Sequence, residues 1–356
     1  MVHIGAKGAL IGARRRHVGT AGAGSVRGRS SGYEGGVMDA QLREWKDGGQ
    51  YFDFLGFEIF YRVEGSGPYL LLIHGYPFNS WDWAPLWDRL TERFTVIAPD
   101  MLGMGFSAKP VAGDYSIGAH ADMHEALLAQ LGVTQCHVVA HDIGVSVAQE
   151  MLARHEDSQT PYRLLSLTWL NGGLFYECYR PRLVQQLLST PLGDVAGRFH
   201  KLLLSKPMLA RSIDEMFGPH TKPSPRLLDQ FDQIMHYNDG ARVTHLVGRF
   251  VRDRLTHRNR WVRAMRETTV PMRLINGPAD PNSGRHMAER YRELIPEPDV
   301  VMLPDAIAHW PHLEAPDAVL AAVVDHIEAA SAATAHGEHA GGPAHEEQRQ
   351  QRHPHG

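Results

Sequence analysis

The chain has 356 residues, 43% hydrophobic and 21% charged, and its 36 basic against 40 acidic side chains leave a formal net charge of -4. That is enough for one large core with an insertion, since single cores stop growing near ~250–300 residues. The near-neutral balance excludes an electrostatic case for nucleic acid or an anionic membrane as partner, and no run approaches the ~20 apolar residues that span a bilayer.

Residues 1–37 are rich in Gly, Ser and Arg, and Arg14-Arg15-Arg16 is followed by no apolar segment of the export type. They read as a disordered leader; translation from Met38 and a flexible arm are its two explanations. Short apolar runs then alternate with helical patterns, the rhythm of a mostly parallel sheet flanked by helices, an α/β architecture. Strands are expected at Glu58–Glu64, Tyr69–Ile73, Thr95–Ala98, His137–Ala140, Leu164–Leu170, Met272–Asn276 and Val300–Leu303. Ile117–Leu131, ending at Gly132, and Val145–Arg154 read as helices. After Asn171 the rhythm breaks, and residues 172–258 read as a helical cap inserted between core segments 38–171 and 259–331. Residues 332–356, with His336, His339, His345, His353 and His355, read as a disordered tail. Cys136 and Cys178 are far apart, which gives no disulfide framework and fits a cytoplasmic protein.

The most informative segment is Ala140-His141-Asp142-Ile143-Gly144, where an apolar strand turns sharply into a helix. Small residues at its ends permit the strained turn that thrusts a nucleophile into a site, but the centre is a carboxylate rather than a hydroxyl. An ionised Asp needs no proton removed before it attacks carbon, and it forms an ester that water must then cleave. The competing reading is that Asp142 caps the following helix.

His309, in the loop after the last strand, is the expected base for that water, with His312 as the competing candidate. The strand before the cap ends at Asn171, which has no charge, whereas the strand after it leads to Asp280; Asp280 is therefore expected to orient His309. The backbone N–H groups of Tyr76, in His74-Gly75-Tyr76-Pro77, and of Ile143 are expected to form an oxyanion hole. Asp100 reads as the anchor of a glycine-rich turn. Arg180, Arg252 and Arg254 read as solvated charge, with contact to an anionic substrate as the second reading. No metal-ligand spacing and no cofactor fingerprint is found, and the expectation is neither metal nor cofactor.

On these segments the sequence resembles the α/β-hydrolase superfamily and, within it, the branch of haloalkane dehalogenases and epoxide hydrolases. Through Asn171-Gly172-Gly173-Leu174-Phe175, Phe217-Gly218-Pro219 and Asn238-Asp239-Gly240 it is similar to the mesoderm-specific transcript group and its bacterial relatives. The resemblance implies a triad of Asp142, His309 and Asp280 acting on a small, largely apolar organic substrate. A dehalogenase would carry a Trp after the nucleophile and an Asn or Trp near the His-Gly pair, where this chain has Ile143 and Tyr76. Epoxide hydrolysis is thus the leading expectation, with Tyr176, Tyr179 and Tyr237 of the cap as possible proton donors. Haloalkane or haloacid dehalogenation is the alternative, and a non-catalytic binding or signalling member of the fold is the alternative of another class.

Overall fold

The run Leu70-Leu71-Leu72-Ile73 has no polar residue to turn toward water, so both faces of its strand must be covered. In the computed structural model, which describes residues 37–180 and 204–340, it lies in the middle of the sheet as β3, Tyr69–Ile73. Alternate side chains leave a strand in opposite directions. Leu71 and Ile73 accordingly join a core with the helices Ile117–Gln130 and Ile143–Glu156, while Leu70 and Leu72 join another with Ala84–Thr91 and Pro316–Ala340.

The other strands are β1 Gln50–Phe54, β2 Phe57–Glu64, β4 Thr95–Pro99, β5 Gln135–His141, β6 Arg163–Leu170, β7 Met272–Asn276 and β8 Asp299–Met302. Their order is β1-β2-β4-β3-β5-β6-β7-β8, with β2 antiparallel to β1 and β4 and all other neighbours parallel. Every expected strand is present. Strand β1 was not foreseen: it joins β2 through Leu55 and Gly56, whose φ values of 55° and 86° suit a two-residue hairpin, but a Leu in the first turn position hides that turn in the sequence. From β3 the chain crosses to β4 on one side and later to β5 on the other. The carboxyl ends of β3 and β5 thus flank a crevice at the point where the strand order reverses, the usual ligand position in open α/β sheets.

Between β6 and β7 the described residues form the helices Lys206–Asp214, Pro225–His236, Thr244–Val247 and Phe250–Glu267, a 3-10 segment at Tyr237–Arg242, and no strand. Helix Phe250–Glu267 runs through the cap boundary expected at 258 and delivers the chain directly to β7. It is pinned to helix Ile143–Glu156 by Glu150, which accepts from Trp261 Nε1 at 2.7 Å and Arg260 Nη1 at 2.6 Å. Residues 181–203 of the expected cap, the leader before Val37, and His345, His353 and His355 lie outside the described residues. The tail departs from expectation up to Ala340: the last helix continues that far, because Ala332, Ala333 and Ala335 extend an already nucleated helix at little cost. No described helix is long and apolar enough to cross a membrane.

Candidate active site

Strand β5 ends at His141, and Asp142 takes φ 49° and ψ -109° before the next helix starts, a conformation few non-glycine residues adopt. The turn needs Gly144, since a Cβ there would stand 2.5 Å from the Ile73 carbonyl oxygen. The Asp142 side chain makes no capping bond to its helix. Its Oδ2 instead accepts the Tyr76 backbone N–H at 3.0 Å, so β3 and β5 jointly aim the carboxylate. The Tyr76–Pro77 bond is cis, and His74 fixes this loop by accepting the Met101 N–H on Nε2 at 2.9 Å and donating from Nδ1 to the Gly75 carbonyl at 2.7 Å. Asp100 anchors the neighbouring turn by accepting from the Ser80 and Phe106 N–H groups and from Asn79 Nδ2.

Asp280 and His309, from the loops after β7 and β8, meet with His309 Nδ1 donating to Asp280 Oδ2 at 3.0 Å. Asp280 also accepts from Ser283 Oγ at 2.6 Å, Asn171 Nδ2 at 3.0 Å and the Asn282 N–H at 2.8 Å. Burial would raise the Asp280 pKa, but the adjacent His309 and these hydrogen bonds outweigh it and hold the carboxyl below its usual range. For His309, burial opposes the charged form, yet the Asp280 charge and hydrogen bond prevail and raise its pKa above the ordinary value. Nδ1 being committed, Nε2 is left as the basic nitrogen. His312, the competing base, is fully buried, stacked on Trp83 at 4.5 Å and absent from the cavity wall.

Asp142, His309 and Tyr76 line one cavity of about 120 Å³, walled otherwise mainly by Phe78, Leu209, Ile213, Met216, Met235 and Trp310, with Asn282, Ser212 and Thr244 as polar points. Tyr176, Tyr179 and Tyr237 are not among its described lining residues. Tyr176 is exposed, Tyr179 packs under the Arg254 guanidinium at 4.4 Å, and Tyr237 packs edge-on to Phe106. The tyrosine that does line it is Tyr76, whose phenol donates to the Thr244 carbonyl at 3.1 Å. Burial raises its pKa, so it keeps its proton until a strong base forms beside it.

Two residues near Asp142 and His309 have structural roles that the sequence reading did not assign. Arg254, read as solvated charge, is 1% exposed: its Nε donates to Ser146 Oγ at 2.8 Å, its Nη2 donates to the Asp142 carbonyl at 3.2 Å, and its guanidinium stacks on Tyr179 and Phe250. Arg180 and Arg252 are exposed. Glu314 ties the His309 loop to the cap, since Oε2 accepts from the Ala308 and Gly218 N–H groups and Thr221 Oγ1, and Oε1 from the Trp310 N–H. The Phe217-Gly218-Pro219 segment therefore docks on that loop, where a Cβ at Gly218 would collide with the Ala306 carbonyl.

The arrangement can hold a carboxylate, a backbone N–H donor and an oriented imidazole around one apolar space. The mesoderm-specific transcript homolog protein of Homo sapiens is 38% identical over 299 residues, spanning 82% of this chain and 89% of that protein. "Putative hydrolase LipZ" of Mycobacterium tuberculosis is 34% identical over 294 residues, 81% of this chain and all of that one. Among solved structures, epoxide hydrolase CorEH superposes with a TM-score of 0.66 at 20% identity, covering 79% of this chain and 98% of that one. Haloalkane dehalogenase DbeA from Bradyrhizobium elkani gives 0.68 at 20% identity, covering 80% and 99%. These two likenesses show the fold and do not separate the two chemistries. A family model for the alpha/beta hydrolase fold matches residues 68–316, and together with the relatives over 30% identical it places this chain in the alpha/beta hydrolase fold family as a hydrolase.

Proposed function

We propose that this hydrolase opens small, largely apolar epoxides through an ester on Asp142. The observation that carries the reading is the double contribution of Tyr76, whose N–H holds Asp142 Oδ2 while the same tyrosine lines the cavity that holds this carboxylate. Oδ1 attacks an epoxide carbon, the carbon–oxygen bond breaks, and the leaving oxygen takes the Tyr76 proton, giving a hydroxyalkyl ester. The ester carbonyl oxygen is Oδ2, already bonded to the Tyr76 N–H, and the Ile143 N–H is the proposed second donor as charge develops there. Water that loses a proton to His309 attacks the carboxyl carbon, the former Oδ1 leaves with the alcohol and takes the remaining proton of that water to complete the diol, Asp142 is left as carboxylate, and the proton on His309 returns to the Tyr76 phenolate. Asp280 holds the imidazole in the required tautomer and stabilises its charged form. The apolar wall supports a small apolar substrate.

Carbon–halogen hydrolysis is the second reading, favoured by Asn282 on the cavity wall, whose amide is a side-chain type that solvates a departing halide. A panel of epoxides and haloalkanes, followed for diol and for free halide, tests the proposal. Diol formation at the higher rate is expected; faster halide release reverses the ranking, and silence across both sets favours a non-catalytic member of the fold.

A further inference from the structure

Behind the elbow, three side chains from separate segments converge. Asp82 comes from the turn Ser80–Trp83, His141 from the end of β5 and His312 from the short helix Pro311–Glu314, and one ligand atom of each lies within 4.8 Å of the others. All three are buried, at 1% exposure or less. Among the described residues, neither oxygen of Asp82, nor Nδ1 of His141, nor either ring nitrogen of His312 has a hydrogen-bond partner. The Trp310 side chain lies beside Asp82 and favours its charged form. Native interiors leave few such atoms unsatisfied, and a concentration of them in one place calls for an ion or a water.

We propose that Asp82, His141 and His312 bind one divalent cation of the zinc class, at a structural site separate from the substrate cavity. None of the three lines that cavity. Two imidazoles with one carboxylate suit zinc, whereas calcium and magnesium prefer all-oxygen surroundings. His141 Nε2 lies 2.7 Å from the His309 carbonyl, to which it donates, leaving the Nδ1 lone pair free for the metal. Metal-bound histidines are held in this way by a carbonyl or carboxylate on the far nitrogen. Zinc bonds of ~2.0–2.2 Å would draw the three segments together, with one tetrahedral position left for water. The ion would thereby cross-link the turn before helix Ala84–Thr91, the strand that carries Asp142 and the helix that follows His309.

The tail histidines would also take up metal, so the test begins with the full chain in which His336, His339, His345, His353 and His355 are changed to Gln. Zinc competition against a chromophoric chelator is expected to show one tight site per chain, weakened on the order of a hundredfold or more by Asp82→Asn or His312→Gln. Zinc at a hundredfold excess over its Kd should raise the Tm by roughly 5 °C. Zinc-edge X-ray absorption of the tail variant, which carries no substitution at the site, should report two imidazoles and oxygen donors. The proposal is overturned if tight binding vanishes with the tail histidines, if Asp82→Asn and His312→Gln bind zinc as well as their parent, or if the spectrum contains fewer than two imidazoles.

Discussion

Arg254 lies against Asp142 with both side chains buried, its Nη2 donating to the Asp142 carbonyl at 3.2 Å and standing 3.8 Å from Oδ1. The cap helix thus supplies the positive charge that offsets the cost of holding a carboxylate in the elbow, and it clamps the strained backbone at the same time. Arg254→Met removes both effects while keeping most of the volume. Loss of one partner of a buried pair costs ~3 kcal/mol or more, so urea unfolding should show a fall of that order. Arg254→Lys should recover only part of it, because an ammonium cannot bond Ser146 and the Asp142 carbonyl with one planar fork. A loss below about 1 kcal/mol in the Met variant would reduce the contact to that of an exposed pair.

Asp142→Ala should abolish turnover while leaving the circular dichroism spectrum of the native state unchanged, because the side chain faces the cavity, where the Tyr76 N–H holds its carboxylate, and the loss of its pairing with Arg254 lowers stability without altering the fold. A single turnover of the parent in oxygen-18 water should label the Asp142 carboxylate rather than the diol, since water attacks the carboxyl carbon. Label found first in the product would place the attack on substrate carbon and end the ester mechanism.

His309→Gln should stop the second half-reaction and spare the first, because alkylating a carboxylate needs no base whereas activating water does. Intact mass should then rise by the mass of the epoxide, with the adduct mapped to Asp142. An adduct on another residue, or a variant with parental turnover, contradicts these roles.

Tyr76→Phe should slow ester formation by roughly tenfold or more, the lower range of general acid catalysis, and leave ester hydrolysis nearly unchanged because the backbone N–H remains. Tyr176→Phe and Tyr237→Phe should match the parent in stopped-flow measurements, since neither phenol is on the described cavity wall. The reverse pattern would return the proton donor to the cap.

Glu314→Gln should loosen the His309 loop, because an amide presents one acceptor oxygen where the carboxylate accepts from Gly218, Ala308, Trp310 and Thr221. The expected result is a loss of about 1–3 kcal/mol in stability, as for buried donors left unmade, together with a lower kcat at similar KM. Parental values of both would mean that the loop is held by its other contacts.

The elbow was legible because its constraints are local: an apolar strand, small residues at fixed spacing and an acidic residue between them all lie within Ala140–Gly144. Asp280 and His309 were legible for a related reason, since each closes a strand whose apolar run marks its own end, and Asn171 without charge left Asp280 as the acid. The hairpin strand β1 was hidden by a turn that lacks the usual residues at Leu55-Gly56.

The sequence by itself therefore determined the α/β order and the chemical types placed at the strand ends. Only the tertiary structure decided which side chains surround them. Helix Phe250–Glu267 carries Arg252, Arg254, Arg258, Arg260, Arg263 and Arg266, and no local pattern says that Arg254 is the one turned under the elbow; the packing of that helix against Ile143–Glu156 does. The same holds for Tyr76 standing on the cavity wall in place of the cap tyrosines, and for Asp82, His141 and His312 meeting from distant segments. Burial and mutual distance arise from packing between elements, and periodicity within one element cannot encode them.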